Sequence, residues 1–241
     1  MLTTLQIGPL NLQTYPLALL LGGWVALAVG AWAARQTGLD GDHIYNAGLY
    51  GLVAGLIVGR LAHVAAFWTA YRAQPLDIVG LDAAAFLAWP AVVAALGGAG
   101  WYVYRHKLPV AAVTDAFAPG LLVGLAILDL GALLAGQMPG APATLPWAIS
   151  LWGVARHPVQ VYEALAALLA AGATIWVLRM HRRPGTAAWV ALLGYGLSRW
   201  LLEPFRAESM MAPGGFHAIQ LLGLAAALAA LWALRQEFAA S

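Results

Sequence analysis

Seven long apolar runs, broken only by short charged or Pro/Gly-containing stretches, constrain this chain more than anything else in it. They cover residues 16–34, 44–68, 83–104, 112–135, 158–180, 187–207 and 216–234. A helix needs roughly 20 apolar residues to cross a bilayer, and the runs meet that requirement. Most mix Ala, Leu, Val and Gly without the two-residue alternation of a membrane barrel strand, so they predict helices. Charged residues are 9% of the 241-residue chain, against about 25% in a soluble domain, which leaves too few to coat it for water. The expected fold is an all-α integral membrane protein. A single transmembrane domain spans residues 1–241, as a polytopic bundle of about seven helices.

Basic residues set the expected orientation. The loops after runs one, three and five, with the C-terminal end, hold Arg35, Arg105, Lys107, Arg179, Arg182, Arg183 and Arg235. The opposite side holds Arg72, Arg156 and Arg206. Seven against three predicts an outside N-terminus and a cytoplasmic C-terminus. No Lys or Arg precedes the first run, so it lacks the basic flank of a cleaved signal peptide. The uncharged stretch from Met1 to Tyr15 is expected along the outer interface, and the 11 tryptophans suit headgroup depth. Zero cysteines exclude disulfides and thiolate metal sites. No His/Asp/Glu set has metal-ligand spacing. The basic residues are dispersed and the net charge is +2, so nucleic acid is not an expected partner. His43, His106, His181 and His217 read as solvated.

Charges inside the bilayer cost free energy and mark function by default. Arg60 sits late in the second run, beside Gly51, Gly55 and Gly59, a stripe that admits a neighbouring helix closely. Asp129 sits late in the fourth. The fifth opens with Arg156-His157-Pro158, followed by Gln160, Tyr162 and Glu163. Arg199, Glu203 and Arg206, at i, i+4 and i+7, fall on one face of the expected sixth helix. With the N-terminus outside, all these groups lie in the outer half of the bilayer. Three arginines at that depth suit phosphate, because the planar guanidinium fork matches its oxygens. Asp129 is expected to form a structural ion pair with Arg60 or Arg199.

Three segments carry a family resemblance. His157-Pro158-Val159-Gln160-Val161-Tyr162-Glu163 resembles the His-Pro-x-Gln-x-Tyr-Glu motif of the prolipoprotein diacylglyceryl transferases. Arg199 to Arg206 resembles their Arg-x-x-x-Glu-x-x-Arg segment, and Gly59-Arg60-Leu61 their early Gly-Arg-Leu. Tyr15 opening the first run, Asp115 to Gly124 opening the fourth, and Gln220 in the last are weaker echoes. The resemblance implies a bacterial inner-membrane, multi-pass enzyme without a cofactor. Such an enzyme moves a diacylglyceryl group from phosphatidylglycerol to the thiol of a lipobox cysteine in a prolipoprotein. The same resemblance assigns catalysis to His157, Arg199 and Glu203, and substrate contact to Tyr15, Arg60, Gln160, Tyr162, Glu163 and Arg206.

At two places the chain departs from that pattern. Where the family reads Arg-x-Gly-Asn-x-x-Asn-Gly-Glu, the residues here are Asp129-Leu130-Gly131-Ala132-Leu133-Leu134-Ala135-Gly136-Gln137. Trp89-Pro90-Ala91 stands near the place of the family's His-Gly-Gly. Two readings follow. One is a divergent transferase in which His157 or a carboxylate takes over proton transfer. The other is a non-catalytic relative that binds an anionic headgroup as a structural subunit among other membrane subunits. A transporter is weaker, since the charges gather at one depth and form no path across.

Overall fold

The computed structural model describes residues 3–7, 10–79, 85–180, 182–212 and 214–239. A hairpin comes first, β1 (Thr4–Ile7) paired antiparallel with β2 (Leu10–Gln13). Helices follow: α1 (Thr14–Gln36), α2 (Gly41–Ala66), the short α3 (Trp68–Ala73), α4 (Ala88–Arg105) and α5 (Val110–Ala135). A second hairpin, β3 (Ile149–Leu151) and β4 (Val154–Arg156), precedes α6 (Val159–Arg179), α7 (Thr186–Leu202) and α8 (Ala218–Ala239). Among the described residues, α1, α2, α5, α6 and α8 are long and apolar enough to cross a membrane. The 18-residue α4 and the 17-residue α7 pack beside them. Large apolar side chains point outward, with Leu20 72% and Leu169 76% exposed. That surface needs hydrocarbon around it.

Small residues bring the helices together. On α1 and α5 the stripes face each other, and a Cβ added at Gly22 or Gly124 would meet the other's carbonyl oxygen at 3.0 and 2.9 Å. The expected stripe on α2 faces α4. Side chains built at Gly51 and Gly55 would meet the carbonyls of Ala95 and Ala91 at 2.8 and 2.9 Å. Backbones that approach this closely gain dispersion contact, which drives association where lipid removes the hydrophobic incentive.

Three boundaries differ from expectation. The third run was expected from residue 83, but α4 begins at Ala88, and residues 83–84, like His181, lie outside the described residues. The stretch before α1, expected only to lie along the outer interface, forms a hairpin. Its alternation, Thr4-Leu5-Gln6-Ile7 and Leu10-Asn11-Leu12-Gln13, is the period of a strand. The sixth helix ends at Leu202, and a 3₁₀ turn covers Glu203–Phe205. Pro204 has no N–H to bond back to Trp200, so the α-helical ladder stops there. The Glu203 N–H still bonds to the Arg199 carbonyl, one turn back, whereas Arg206 lies beyond the helix and leaves that face. Arg206 is extended, with φ −81° and ψ 143°.

That extended segment is stitched into a small backbone layer over the helix ends. Ala141 donates to the Phe205 carbonyl at 2.7 Å, and Ala207 to that of Pro139 at 3.0 Å. His157 donates to Ala141 at 3.0 Å, and Ala143 to Ala155 at 2.9 Å. The 139–143 segment thus lies between the 155–157 and 205–207 segments. Only glycine fits at 140, where a Cβ would come within 2.1 Å of the His157 carbonyl oxygen. The β3–β4 turn places Trp152 and Gly153 at φ 53° and 79°, positive at both central positions as a two-residue hairpin demands.

Candidate functional site

Beneath that layer, α1 and α6 begin and α5 and α7 end, and their side chains enclose a cavity of about 190 Å³. Tyr15, Asp129, Glu163, Tyr195, Arg199 and Arg206 line it. Each arrives from a different place in the chain. Tyr15 opens α1, Asp129 lies late in α5, Glu163 sits in the second turn of α6, Arg199 comes from the last turn of α7, and Arg206 follows the 3₁₀ turn.

Glu163 is the centre of this arrangement, and its side chain is 0% exposed. Arg199 Nη2 lies 2.8 Å from its Oε1. Arg206 grips it with both prongs, Nε donating to Oε1 at 2.9 Å and Nη2 to Oε2 at 2.7 Å. One carboxylate thereby orients two guanidiniums, and a fork of this kind is stronger and more directional than a single contact. Arg199 keeps a buried Nε with no partner among the described residues, a donor available to an incoming acceptor. Glu203 stands behind Arg206, with Oε2 at 3.9 Å from its Nε, and accepts from the Ser209 hydroxyl at 2.6 Å.

The ion pair expected of Asp129 is not formed among the described residues, because Glu163 holds both cavity arginines. Arg60 lies apart from the cavity lining. It donates through Nε to the Ile78 carbonyl at 3.1 Å, through Nη1 to that of Ala85 at 2.9 Å, and through Nη2 to that of Asp77. Tyr71 and Phe86 flank its guanidinium at 5.4 and 5.7 Å. Equal depth and equal position differ here. Arg60 clasps the connection into α4.

His157, Gln160 and Tyr162 also stand outside the lining. Gln160 is fully buried and donates to the carbonyls of Gln137 and Met138 at 2.7 and 3.0 Å, fixing the chain as it leaves α5. The His157 ring packs against Phe205 at 5.0 Å, and its Nδ1 is buried without a partner among the described residues. Tyr162 accepts from the Trp147 indole at 2.7 Å. Of the histidines expected to be solvated, His106 is exposed, whereas half-buried His43 shares a 3.0 Å hydrogen bond with the Tyr102 hydroxyl. Sequence reasoning missed Tyr195 and Ser198 in the wall. Tyr195 lies one turn before Arg199 and carries its guanidinium at 5.4 Å, a spacing that an i, i+4 search from each intramembrane arginine would find.

Comparison with known proteins places this geometry. Residues 3–235 match the family described as prolipoprotein diacylglyceryl transferase. The phosphatidylglycerol–prolipoprotein diacylglyceryl transferase of Mycobacterium leprae is 35% identical over 155 residues, covering 61% of this chain and 46% of that protein. A second transferase so named, from Streptomyces coelicolor, is 31% identical over 192 residues, 73% of this chain and 59% of its own length. That from Thermosynechococcus vestitus is 26% identical over 243 residues, 96% and 90% of the two chains. The chain thus spans about half the length of the mycobacterial relatives and nine tenths of the Thermosynechococcus one. With its apolar helices and the charged cavity at their ends, this multi-pass membrane protein belongs to the prolipoprotein diacylglyceryl transferase family.

Proposed function

We propose that the protein transfers a diacylglyceryl group from phosphatidylglycerol to the cysteine thiol of a prolipoprotein in the bacterial inner membrane. One observation carries this reading: Arg199 and Arg206 meet at a single buried carboxylate in the wall of one cavity. The attacking sulfur forms a bond to the glyceryl carbon, that carbon's bond to the phosphate oxygen breaks, and glycerol phosphate departs. Negative charge grows on the leaving phosphate. Two preoriented, largely buried guanidiniums stabilise it. Glu163 keeps them aligned between turnovers, and Glu203 supports Arg206 from behind. The relatives' names supply the substrate pair, and the two guanidiniums held at Glu163 supply the chemistry.

The non-catalytic reading draws on the two departures from the family pattern, in the Asp129 to Gln137 stretch and at Trp89-Pro90-Ala91. A single assay separates the two. Purified protein, phosphatidylglycerol and a lipobox peptide are incubated, and the peptide's mass is followed. A gain of one diacylglyceryl group is expected in the parent, with a rate lowered at least tenfold in Arg206→Ala. Phosphatidylglycerol binding without any mass gain in the parent leaves the non-catalytic reading standing.

A further inference from the structure

We propose that Asp129 is the group that takes the proton from the attacking thiol. This rests on the transferase reading above. Any base for that step must line the cavity, must accept a proton, and must not be held by another charge. Of the described residues in the wall, Arg199 and Arg206 are donors only. Tyr15 and Tyr195 carry phenol hydroxyls, far weaker proton acceptors than a carboxylate. The Ser198 hydroxyl donates to the Tyr195 carbonyl at 2.7 Å. Two carboxylates remain. Glu163 is fully buried and accepts from both arginines, so protonating it would break the clamp that holds the phosphate. Asp129 lines the same cavity and takes part in none of its ion pairs. His157 fails on position, since it lies outside the lining.

Charge accounting supports the assignment. In the step, the thiol sulfur bonds to the glyceryl carbon, the carbon–oxygen electron pair goes to the phosphate, and the thiol proton goes to a carboxylate oxygen of Asp129. The phosphate gains one negative charge as Asp129 loses one, so the cavity's total is unchanged. The charge moves from Asp129 toward Arg199 and Arg206. Asp129 shares the cavity wall with Arg199, Arg206 and Glu163, so shedding its charge as the phosphate gains its own keeps the charge facing the two arginines in balance. The proton then leaves with product or to water, which resets the site.

The test compares parent, Asp129→Asn and Asp129→Glu in the lipobox-peptide assay from pH 5.5 to 9, with phosphatidylglycerol binding followed by native mass spectrometry. Loss of a positioned base lowers rates about 10²–10⁴-fold. That loss is expected for Asp129→Asn at neutral pH, with binding retained or tightened because a negative charge is gone. The Asn variant's rate should climb about tenfold per pH unit toward the thiol's ordinary pKa of about 8.5, since solution must then supply the thiolate. The parent should level off at lower pH, and Asp129→Glu should keep more activity than Asn. A rate for Asp129→Asn within threefold of the parent overturns the proposal and leaves the transferase reading intact. Loss of rate together with loss of binding also overturns it, by making Asp129 structural. An inactive parent overturns the transferase reading, and this proposal with it.

Discussion

Arg206 holds Glu163 through both oxygens, at 2.9 and 2.7 Å, across 43 residues of sequence. With Arg199 on the same carboxylate at 2.8 Å, the pair ties the start of α6 to the segment beyond α7. Removing one partner strands a buried charge, which typically costs about 3–5 kcal/mol. Glu163→Ala should therefore lower the melting temperature in detergent markedly. Glu163→Ala combined with Arg206→Ala should cost less than the two single losses added together. Strict additivity in that double-mutant cycle would show that the two residues are not coupled.

Arg60 gives the second expectation. Its three donors serve backbone carbonyls at Asp77, Ile78 and Ala85. Arg60→Ala should speed amide exchange in residues 75–79 and 85–87, while phosphatidylglycerol binding at the Arg199–Arg206 fork stays within about twofold of the parent. A binding loss like that of Arg206→Ala, about 1.5–3 kcal/mol for a charge-assisted contact, would instead make Arg60 a headgroup contact.

Orientation can be tested directly, because the chain has no cysteine. Single cysteines at Trp152, on the tip of the second hairpin, and at Lys107, between α4 and α5, probe opposite ends of the bundle. A membrane-impermeant maleimide applied to intact cells should label Trp152→Cys and leave Lys107→Cys untouched until the membrane is opened. The reverse pattern would invert the expectation drawn from the basic residues.

Depth was legible in the sequence, and direction around the bundle was not. A run of apolar residues shows where a helix crosses, so Asp129, Glu163, Arg199 and Arg206 could be assigned to one layer from their distance along the runs. Which of them touch depends on how helices rotate and tilt against one another, and small-residue stripes on several helices leave that open. Arg60 illustrates the cost: it shares the layer's end of the bundle yet spends its donors on its own loop. The helix break at Pro204 is a local rule that the run of apolar residues around it overrode in the reading. Pairing partners are the hardest to read. Glu163, Glu203 and Asp129 are equivalent as letters, and only packing decides that Glu163 takes both arginines while Asp129 is left facing the cavity. The loop between α5 and α6 gave no apolar signal, so the backbone layer around Gly140 was invisible.

The Glu163–Arg199 contact also bears on how the chain enters its membrane. α6 and α7 are consecutive, joined through Pro184 and Gly185, so they insert as a helical hairpin. Alone in hydrocarbon, a charged side chain in either helix costs about 2.5–3.5 kcal/mol on the insertion scale. Paired across the hairpin, the two charges cancel each other's field before either must face lipid. Arg206 can close on Glu163 only once α7 has crossed, and the 139–143 segment can seat only after Arg206 has arrived. Every residue of these ion pairs precedes α8 in the chain, so the order of synthesis makes the charged centre available before α8 emerges.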